Sequence, residues 1–203
     1  MIELIDMIVL DVEASGTEAH IHSLVAIGAV DFDNPENRFY KECHIWEGAH
    51  IMDGALEVNG FTENEITDPK KQTEGEIVQE FIEWSKGLRD RTLVGQNVSF
   101  DRDFMRAAAG RAGLNWNFAY RSIDTHSLCF MHIIKSGKEP PIDIEHRHSS
   151  LSLDAILQYC GIPEEPHPHI ALTGALCHAE VTSRILFDKK LLPEFKQYEI
   201  PWL

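Results

Sequence analysis

The chain has 203 residues, enough for one domain with a sizeable core, and its content of 43% hydrophobic and 25% charged residues is typical of a soluble globular protein. The formal net charge of −15 argues against broad, non-specific binding of a nucleic acid backbone, which depends on many Lys and Arg contacts. It leaves room for a small nucleotide site in which metal ions supply the positive charge.

Targeting and redox signals are weak throughout the chain. Four scattered cysteines without a C-x-x-C pair argue against a disulfide framework or a zinc knuckle. The first six residues lack the basic start and apolar region of a signal peptide, and no apolar run approaches the roughly 18 residues that span a bilayer. We therefore expect a single domain over residues 1–203 that is soluble, cytoplasmic and independent of membranes.

The first half of the chain opens with three strand-like runs, at residues 7–12, 24–32 and 38–45. Residues 47–72 are expected to hold mostly loops or short helices. Thr73 and Glu76 then form a capping box, which begins a helix that continues to about Leu88.

The second half alternates short strands with helices. Strands are predicted at residues 92–95 and 120–124. A helix is predicted to begin after 97–99, with Asn97 or Ser99 as its cap, and three further helices are predicted at 125–134, 152–160 and 171–187. Residues 135–150 read as a loop that either covers a site or is mobile. Strands first and alternation afterwards predict a three-layer α/β domain with a central mixed sheet flanked by helices.

Asp11 and Glu13 end the first apolar run. Side chains at i and i+2 of a strand point to the same face, so the two carboxylates lie side by side. Burying both is costly unless a cation neutralises them, and Mg²⁺ or Mn²⁺ prefers such hard oxygen ligands. The alternative is an edge strand whose two acids face water, but the apolar run at 24–30 favours a central strand.

Two further residues carry potential chemistry. Asp101 falls in the first turn of a predicted helix, where an acid also suits the helix dipole without any function. His169 precedes the last helix, and a neutral imidazole in a loop is a common general base. The pairs His20/His22 and His146/His148 lack a third ligand at a convincing spacing and are interpreted as exposed loop histidines.

Four segments in order carry a family resemblance: residues 11–13, 55–62, 95–101 and 169–172. Together they resemble the DEDDh branch of the DEDD 3′–5′ exonucleases, the group that includes the DNA polymerase proofreading subunit. The resemblance runs from about residue 7 to residue 186. It implies a ribonuclease H-like fold, in which Asp124, after a strand, has a structural role.

The resemblance also implies a mechanism. Asp11 and Glu13 match the first two metal ligands of the family, Asp101 matches the third, and His169 matches the general base. Two Mg²⁺ or Mn²⁺ ions would support hydrolysis of the last phosphodiester at the 3′ end of single-stranded or short DNA or RNA, with release of a 5′-mononucleotide. A homodimer or a polymerase-type partner remains open.

The chain departs from the family seriously at one position, apart from a minor departure at Gln96, where many relatives have a histidine. The family has an Asp five residues after the His, and here that position is Gly174. His178 lies one helical turn further on and about 40° around the helix, so it is the better substitute ligand, whereas Glu180 lies roughly 120° away. The alternative is that His178 is only a partly buried helix residue. In that case nothing replaces the missing acid, and metal binding is weakened.

Two other function classes follow from this departure. The chain could be a nucleic acid-binding or partner-docking protein that keeps the exonuclease fold and has lost turnover, which the missing acid at Gly174 motivates. It could also be a metal-dependent phosphodiesterase of small molecules, which the acidic surface would suit. The retained Asp11, Glu13, Asp101 and His169 favour the exonuclease.

Overall fold

The structure, a computed structural model, describes residues 6–203, and within this range six strands form one mixed sheet. In chain order they are β1 (Ile8–Ala14), β2 (Leu24–Asp31), β3 (Arg38–His44), β4 (Gln72–Thr73), β5 (Leu93–Gly95) and β6 (Ser122–Asp124). Their spatial order is β4-β3-β2-β1-β5-β6. Antiparallel pairing joins β1, β2 and β3, and parallel pairing joins the other neighbours. The first strand is therefore central, as predicted.

Helices and a small hairpin complete the part of the chain that the structure describes. The helices are α1 (Asp53–Asn59), α2 (Glu63–Ile66), α3 (Glu74–Ser85), α4 (Ser99–Arg111), α5 (Thr125–Lys135), α6 (Leu153–Tyr159) and α7 (Ala171–Phe187), followed by a 3-10 turn at Pro193–Phe195. The loop predicted at 135–150 contains the hairpin β7 (Ile142–Asp143) and β8 (His148–Ser149). The predicted three-layer architecture is confirmed.

One face of the sheet is covered by α3 and α4. Leu10 and Val12 of β1 point to this face and pack in one apolar cluster with Phe81 of α3 and Phe104 of α4. The capping box predicted at Thr73 begins α3, as expected. This layer holds the larger part of the core and leaves the opposite face of β1 for α7.

The opposite face of β1 packs against α7. Met7 and Val9 alternate with the residues of the first face, and they share an apolar cluster with Ala175 and Ala179 of α7. The small side chains of α7 bring the helix close to the sheet. Because strand side chains alternate with period two, the acids that follow Val9 on this face also lie beneath α7.

A glycine brings the beginning of α7 directly onto the sheet. Gly28 of β2 is the register partner of Asp11. A Cβ atom at residue 28 would collide with the backbone of Ala171, the first residue of α7. Only a glycine permits this approach, which brings the segment before α7 beside Asp11.

The predicted cap of α4 is wrong. The helix begins at Ser99 after Val98, and neither Asn97 nor Ser99 caps it with a side chain. Asn97 is in the left-handed conformation with φ 49°, and its N–H donates to a carboxylate oxygen of Asp124 at 2.7 Å. Its position is therefore fixed by β6, and its backbone turns the chain from β5 into α4.

The described part of the chain contains no helix that is both long enough and apolar enough to cross a membrane. The expectation that the chain begins without a signal peptide rests mainly on residues 1–5, which lie outside the described range.

Candidate metal and catalytic site

The strand β1 presents two acids to one cavity. Asp11 and Glu13 follow Val9 on the face that α7 covers, and both line a cavity of about 300 Å³. Glu13 is buried, and the side chain of Asp11 is 25% exposed. The two carboxylates therefore lie on one face of a central strand, as predicted.

The helix α4 brings a third acid to the same strand. Asp101 is buried in the first turn of α4, and its Oδ1 accepts a hydrogen bond from the N–H of Val12 at 2.9 Å. The pairing of β5 with β1 extends only from Ile8 to Val9, so the N–H of Val12 beyond it is available to a side chain. This bond holds Asp101 next to the residue between Asp11 and Glu13.

His169 lies on the segment that enters α7. Its N–H donates to the carbonyl of Val58 in α1 at 3.0 Å, and Pro168 packs against Gly60 at the end of α1. The imidazole lines the cavity, and among the described residues its Nε2 is buried without a hydrogen-bond partner. Burial, followed by the neighbouring His167, lowers the pKa of His169, which favours the neutral ring.

His178 faces the site from α7. Its Nε2 lies 3.7 Å from Oδ1 of Asp11, and the residue is only 2% exposed. It lies one turn beyond Gly174, where helical periodicity predicted it. Burial lowers the pKa of His178, which favours the neutral ring. A neutral imidazole nitrogen beside a carboxylate is a potential metal ligand.

Glu165 is a site residue that sequence reasoning missed. It lies in the loop before α7, is 5% exposed, and lines the same cavity as Asp11. Its Oε2 lies 3.8 Å from Nδ1 of His169. Helical periodicity links Gly174 only to residues further along α7, whereas this acid comes from the irregular loop upstream.

Burial raises the pKa of all four carboxylates, and neighbouring acids raise it further for Glu13, Glu165 and Asp101. Burial, followed by Asp11, Glu165 and Asp101, raises the pKa of Glu13 to about 9. Burial raises the pKa of Asp11 to about 7, burial and then Asp11 raise that of Glu165 to about 7, and burial followed by Asp11 raises that of Asp101 well above its usual value.

This cluster lacks an internal cation. Within residues 6–203, no Lys or Arg nitrogen lies within 4.0 Å of a carboxylate oxygen of these four acids. Two unit charges 4 Å apart at an effective dielectric constant of 20 interact by about 4 kcal/mol. Carboxylate oxygens are ligands that a hard divalent ion prefers, and such an ion would remove the repulsion.

Other polar residues of the same region are structural. Glu180 points away from the cavity and forms a fully buried ion pair with Arg184 at 2.7 Å, as its position on the helix indicated. Asp124 caps α5 by accepting from the N–H of Ser127 at 3.0 Å. Asp103, on another face of α4 from Asp101, pairs with arginines at the surface.

His20, His146 and His148 are exposed as expected, but two other expectations about the histidine pairs are wrong. His22 is buried against Gly16 rather than exposed, because the glycine leaves space for its ring. His146 and His148 do have a third potential ligand, since the β7–β8 hairpin folds Asp143 back beside them and one ligand atom of each lies within 4.8 Å of the others. His146 and His148 are exposed and Asp143 is partly exposed, and none of the three lines the cavity of Asp11 and Glu13.

Sequence comparisons identify relatives over most of the chain. A family model described as "Exonuclease" matches residues 8–182. A PolC-type DNA polymerase III of Thermotoga petrophila is 28% identical over 196 residues, which cover 95% of this chain but 13% of the polymerase. A ribonuclease T of Haemophilus influenzae is 27% identical over 168 residues, 71% of this chain and 72% of that protein. The chain thus spans about an eighth of the length of the polymerase.

Solved structures share the fold. The nuclease domain of 3′hExo, a DEDDh family member bound to rAMP, has a TM-score of 0.69 at 16% identity, covering 93% of this chain and 95% of that one. Exonuclease I of E. coli in complex with a dA16 oligonucleotide also has a TM-score of 0.69 at 16% identity, covering 90% and 41%. The predicted ribonuclease H-like fold is confirmed by this likeness.

Proposed function

This chain belongs to the exonuclease family whose model covers residues 8–182, and we propose that it is a metal-dependent 3′–5′ exonuclease. The reaction is hydrolysis of the terminal phosphodiester of single-stranded or short nucleic acid, with release of a 5′-mononucleotide. The observation that carries the proposal is that Asp11, Glu13 and His169 line one cavity, with the carboxylate of Asp101 bonded to the N–H of Val12 between the two acids.

The donor set of the cavity fits the proposed cofactor. Carboxylate oxygens are the preferred ligands of Mg²⁺ and Mn²⁺, and the buried acids need positive charge. Asp11, centrally placed, would hold both ions, and Glu13, Asp101 and the imidazole of His178 would complete their ligand sets. Two bound ions would stabilise the negative charge that develops on the attacking and leaving oxygens of the phosphodiester.

The proton of the attacking water is assigned to His169. Its lowered pKa keeps the imidazole neutral near pH 7, as a general base requires. A proton on Nδ1 would face the carboxylate of Glu165, which leaves Nε2 as the acceptor. The backbone hydrogen bond from His169 to Val58 holds this ring at the mouth of the cavity.

The substrate class follows from the acidic charge and from the relatives. A net charge of −15 does not provide a long basic groove for a duplex, so a strand end held at the cavity suits this chain better. Exonuclease I, a structural relative, is in complex with a dA16 oligonucleotide, and the name of ribonuclease T, a sequence relative, indicates an RNA substrate. We therefore propose a single-stranded or short DNA or RNA substrate in the cytoplasm.

A polymerase-type partner is a further proposal. The relative of Thermotoga petrophila is a PolC-type polymerase in which the matching region is 13% of the whole. An exonuclease domain of this kind would act beside a polymerase, either on the same chain or on a separate one. Self-association into a homodimer is the other arrangement that we propose to test, by sedimentation of the purified chain.

The two other function classes have less support. A binding or docking protein without turnover would need no general base and no clustered acids, yet Asp11, Glu13 and His169 line the cavity and Asp101 is bonded to the backbone of Val12 beside them. A phosphodiesterase of small molecules would not require resemblance to exonucleases along residues 8–182.

A trimming assay tests the proposal. A 5′-labelled single-stranded DNA and the RNA of the same sequence should each be incubated with Mg²⁺ or Mn²⁺. Removal of nucleotides from the 3′ end would yield a ladder of shortening labelled products. Asp11→Asn, which keeps the size of the side chain but removes its charge, should abolish the ladder, and Asp103→Asn on the surface of α4 is the matched control.

Each other outcome rejects the proposal in a recognisable way. Release of the label as a mononucleotide would show the opposite direction of trimming. Binding of the oligonucleotide without shortening would support a docking protein, and hydrolysis of a small phosphodiester alone would support the third class.

A further inference from the structure

We propose that Glu165 supplies the fourth carboxylate of the metal site, in place of the acid that is absent at position 174. The proposal rests on the exonuclease function and assigns to a loop the ligand that relatives carry on the helix. It is specific to this chain, because it depends on the departure at Gly174 and on the position of Glu165.

The first argument is the shared space of Gly174 and Glu165. A Cβ atom at residue 174 would lie 3.3 Å from Oε1 of Glu165 and would collide with a carboxylate oxygen of Asp11. The carboxylate of Glu165 therefore lies beside the position where a side chain at residue 174 would begin. Asp11, the acid at the centre of the site, lies nearer still to that position.

The second argument is the state of the carboxylate itself. The side chain of Glu165 is 3% exposed, and within the described residues its buried Oε1 has no hydrogen-bond partner. A buried, unpaired carboxylate oxygen is costly for a fold. This oxygen faces the cavity that Asp11 and Glu13 line, where a divalent ion would satisfy it.

The third argument is that the loop is held in place. The N–H of Glu165 donates to a carboxylate oxygen of Asp154 in α6 at 3.1 Å, and the N–H of His169 donates to the carbonyl of Val58 at 3.0 Å. Glu165 is thus anchored on both sides. A ligand on an anchored loop is positioned before the ion arrives, which ligation requires.

The same geometry predicts the effect of Gly174→Asp. Its Cβ atom would collide with the carboxylate of Asp11 and crowd that of Glu165. We therefore expect this substitution alone to displace Asp11 and weaken metal binding.

Direct measurement of Mn²⁺ binding tests the proposal without an activity assay. Isothermal titration of the whole chain should show that Glu165→Gln loses one bound ion or binds it at least about tenfold more weakly than the wild type, as loss of a ligand predicts. Glu164→Gln, at the exposed neighbouring position, should bind as the wild type does. Unchanged binding by Glu165→Gln would overturn the proposal.

Glu165→Ala adds a second readout, because it removes the carboxylate altogether. It should bind Mn²⁺ at least as weakly as Glu165→Gln, with circular dichroism confirming that the variant is folded. Wild-type affinity for Mn²⁺ in a folded Glu165→Ala variant would contradict the ligand assignment.

Glu165 could act instead only by orienting His169, whose Nδ1 is 3.8 Å away. Glu165→Gln would then keep its Mn²⁺ affinity and shift only the pH profile of trimming, a result that overturns the proposal.

Failure of the proposed function is separate from failure of the ligand assignment. A wild type that neither binds Mn²⁺ nor trims DNA would reject the exonuclease. A wild type that trims, together with a Glu165→Gln variant that binds Mn²⁺ normally, would reject only the role of Glu165.

Discussion

Glu13→Gln should remove a pH-dependent loss of stability from the metal-free protein. Burial and the neighbouring acids raise the pKa of Glu13 from 4.5 to about 9. The folded protein keeps this proton at pH values where the unfolded chain has released it, so the free energy of unfolding falls as the pH rises through that interval. Glutamine has no proton to release, so the variant lacks this contribution.

The size of the effect follows from the linkage between proton binding and folding. While only the folded state holds the proton, the free energy of unfolding decreases by about 1.4 kcal/mol per pH unit. From about pH 5 to about pH 7 the contribution of Glu13 is therefore about 3 kcal/mol. That is a large part of the roughly 5–15 kcal/mol that stabilises a typical domain.

Urea denaturation in EDTA, followed by circular dichroism at several pH values, measures this effect. The other buried acids titrate in both proteins, so the difference between wild type and Glu13→Gln isolates residue 13. Glu164→Gln, at an exposed position, should follow the wild type. Parallel stability curves for wild type and Glu13→Gln would refute the reasoning. Added Mn²⁺ should reverse the trend in the wild type, because metal ligands must be deprotonated.

Two further predictions concern α7. Glu180→Gln should destabilise the protein by about 3–5 kcal/mol, because it leaves the buried charge of Arg184 uncompensated; urea denaturation checks this, and trimming per folded molecule should stay unchanged. His178→Ala should raise the Mn²⁺ concentration for half-maximal trimming by about tenfold, because the ring is placed beside Asp11. An unaltered Mn²⁺ requirement would show that His178 is only a buried helix residue.

The parts of the site that lie on regular elements were predictable from the sequence. The two-residue period of a strand places Asp11 and Glu13 on one face, and the 3.6-residue period of a helix places His178 one turn beyond Gly174. The sequence also predicts that Asp101 lies in the first turn of α4, but it does not predict the hydrogen bond from the backbone of β1 to this carboxylate.

Residues on irregular backbone were not predictable in the same way. Glu165 lies in a loop whose path is set by hydrogen bonds to other elements, and no periodicity links it to Gly174. His22 was expected at the surface because its pair lacks a third metal ligand, but the missing side chain of Gly16 admits its ring. In both cases a tertiary contact decides the position, and the periodicity of helices and strands does not predict that contact.

The buried guanidinium of Arg184 anchors the C-terminal half of α7, whereas the N-terminal half faces the cavity. One of its nitrogens donates to the carboxylate of Glu180 at 2.7 Å, and the other two donate to four backbone carbonyls within 3.1 Å. These bonds fix this end of the helix to the C-terminal segment independently of the cavity. The other end of the helix carries Gly174 and His178. A change of metal ligand at that end therefore need not alter the architecture of the fold.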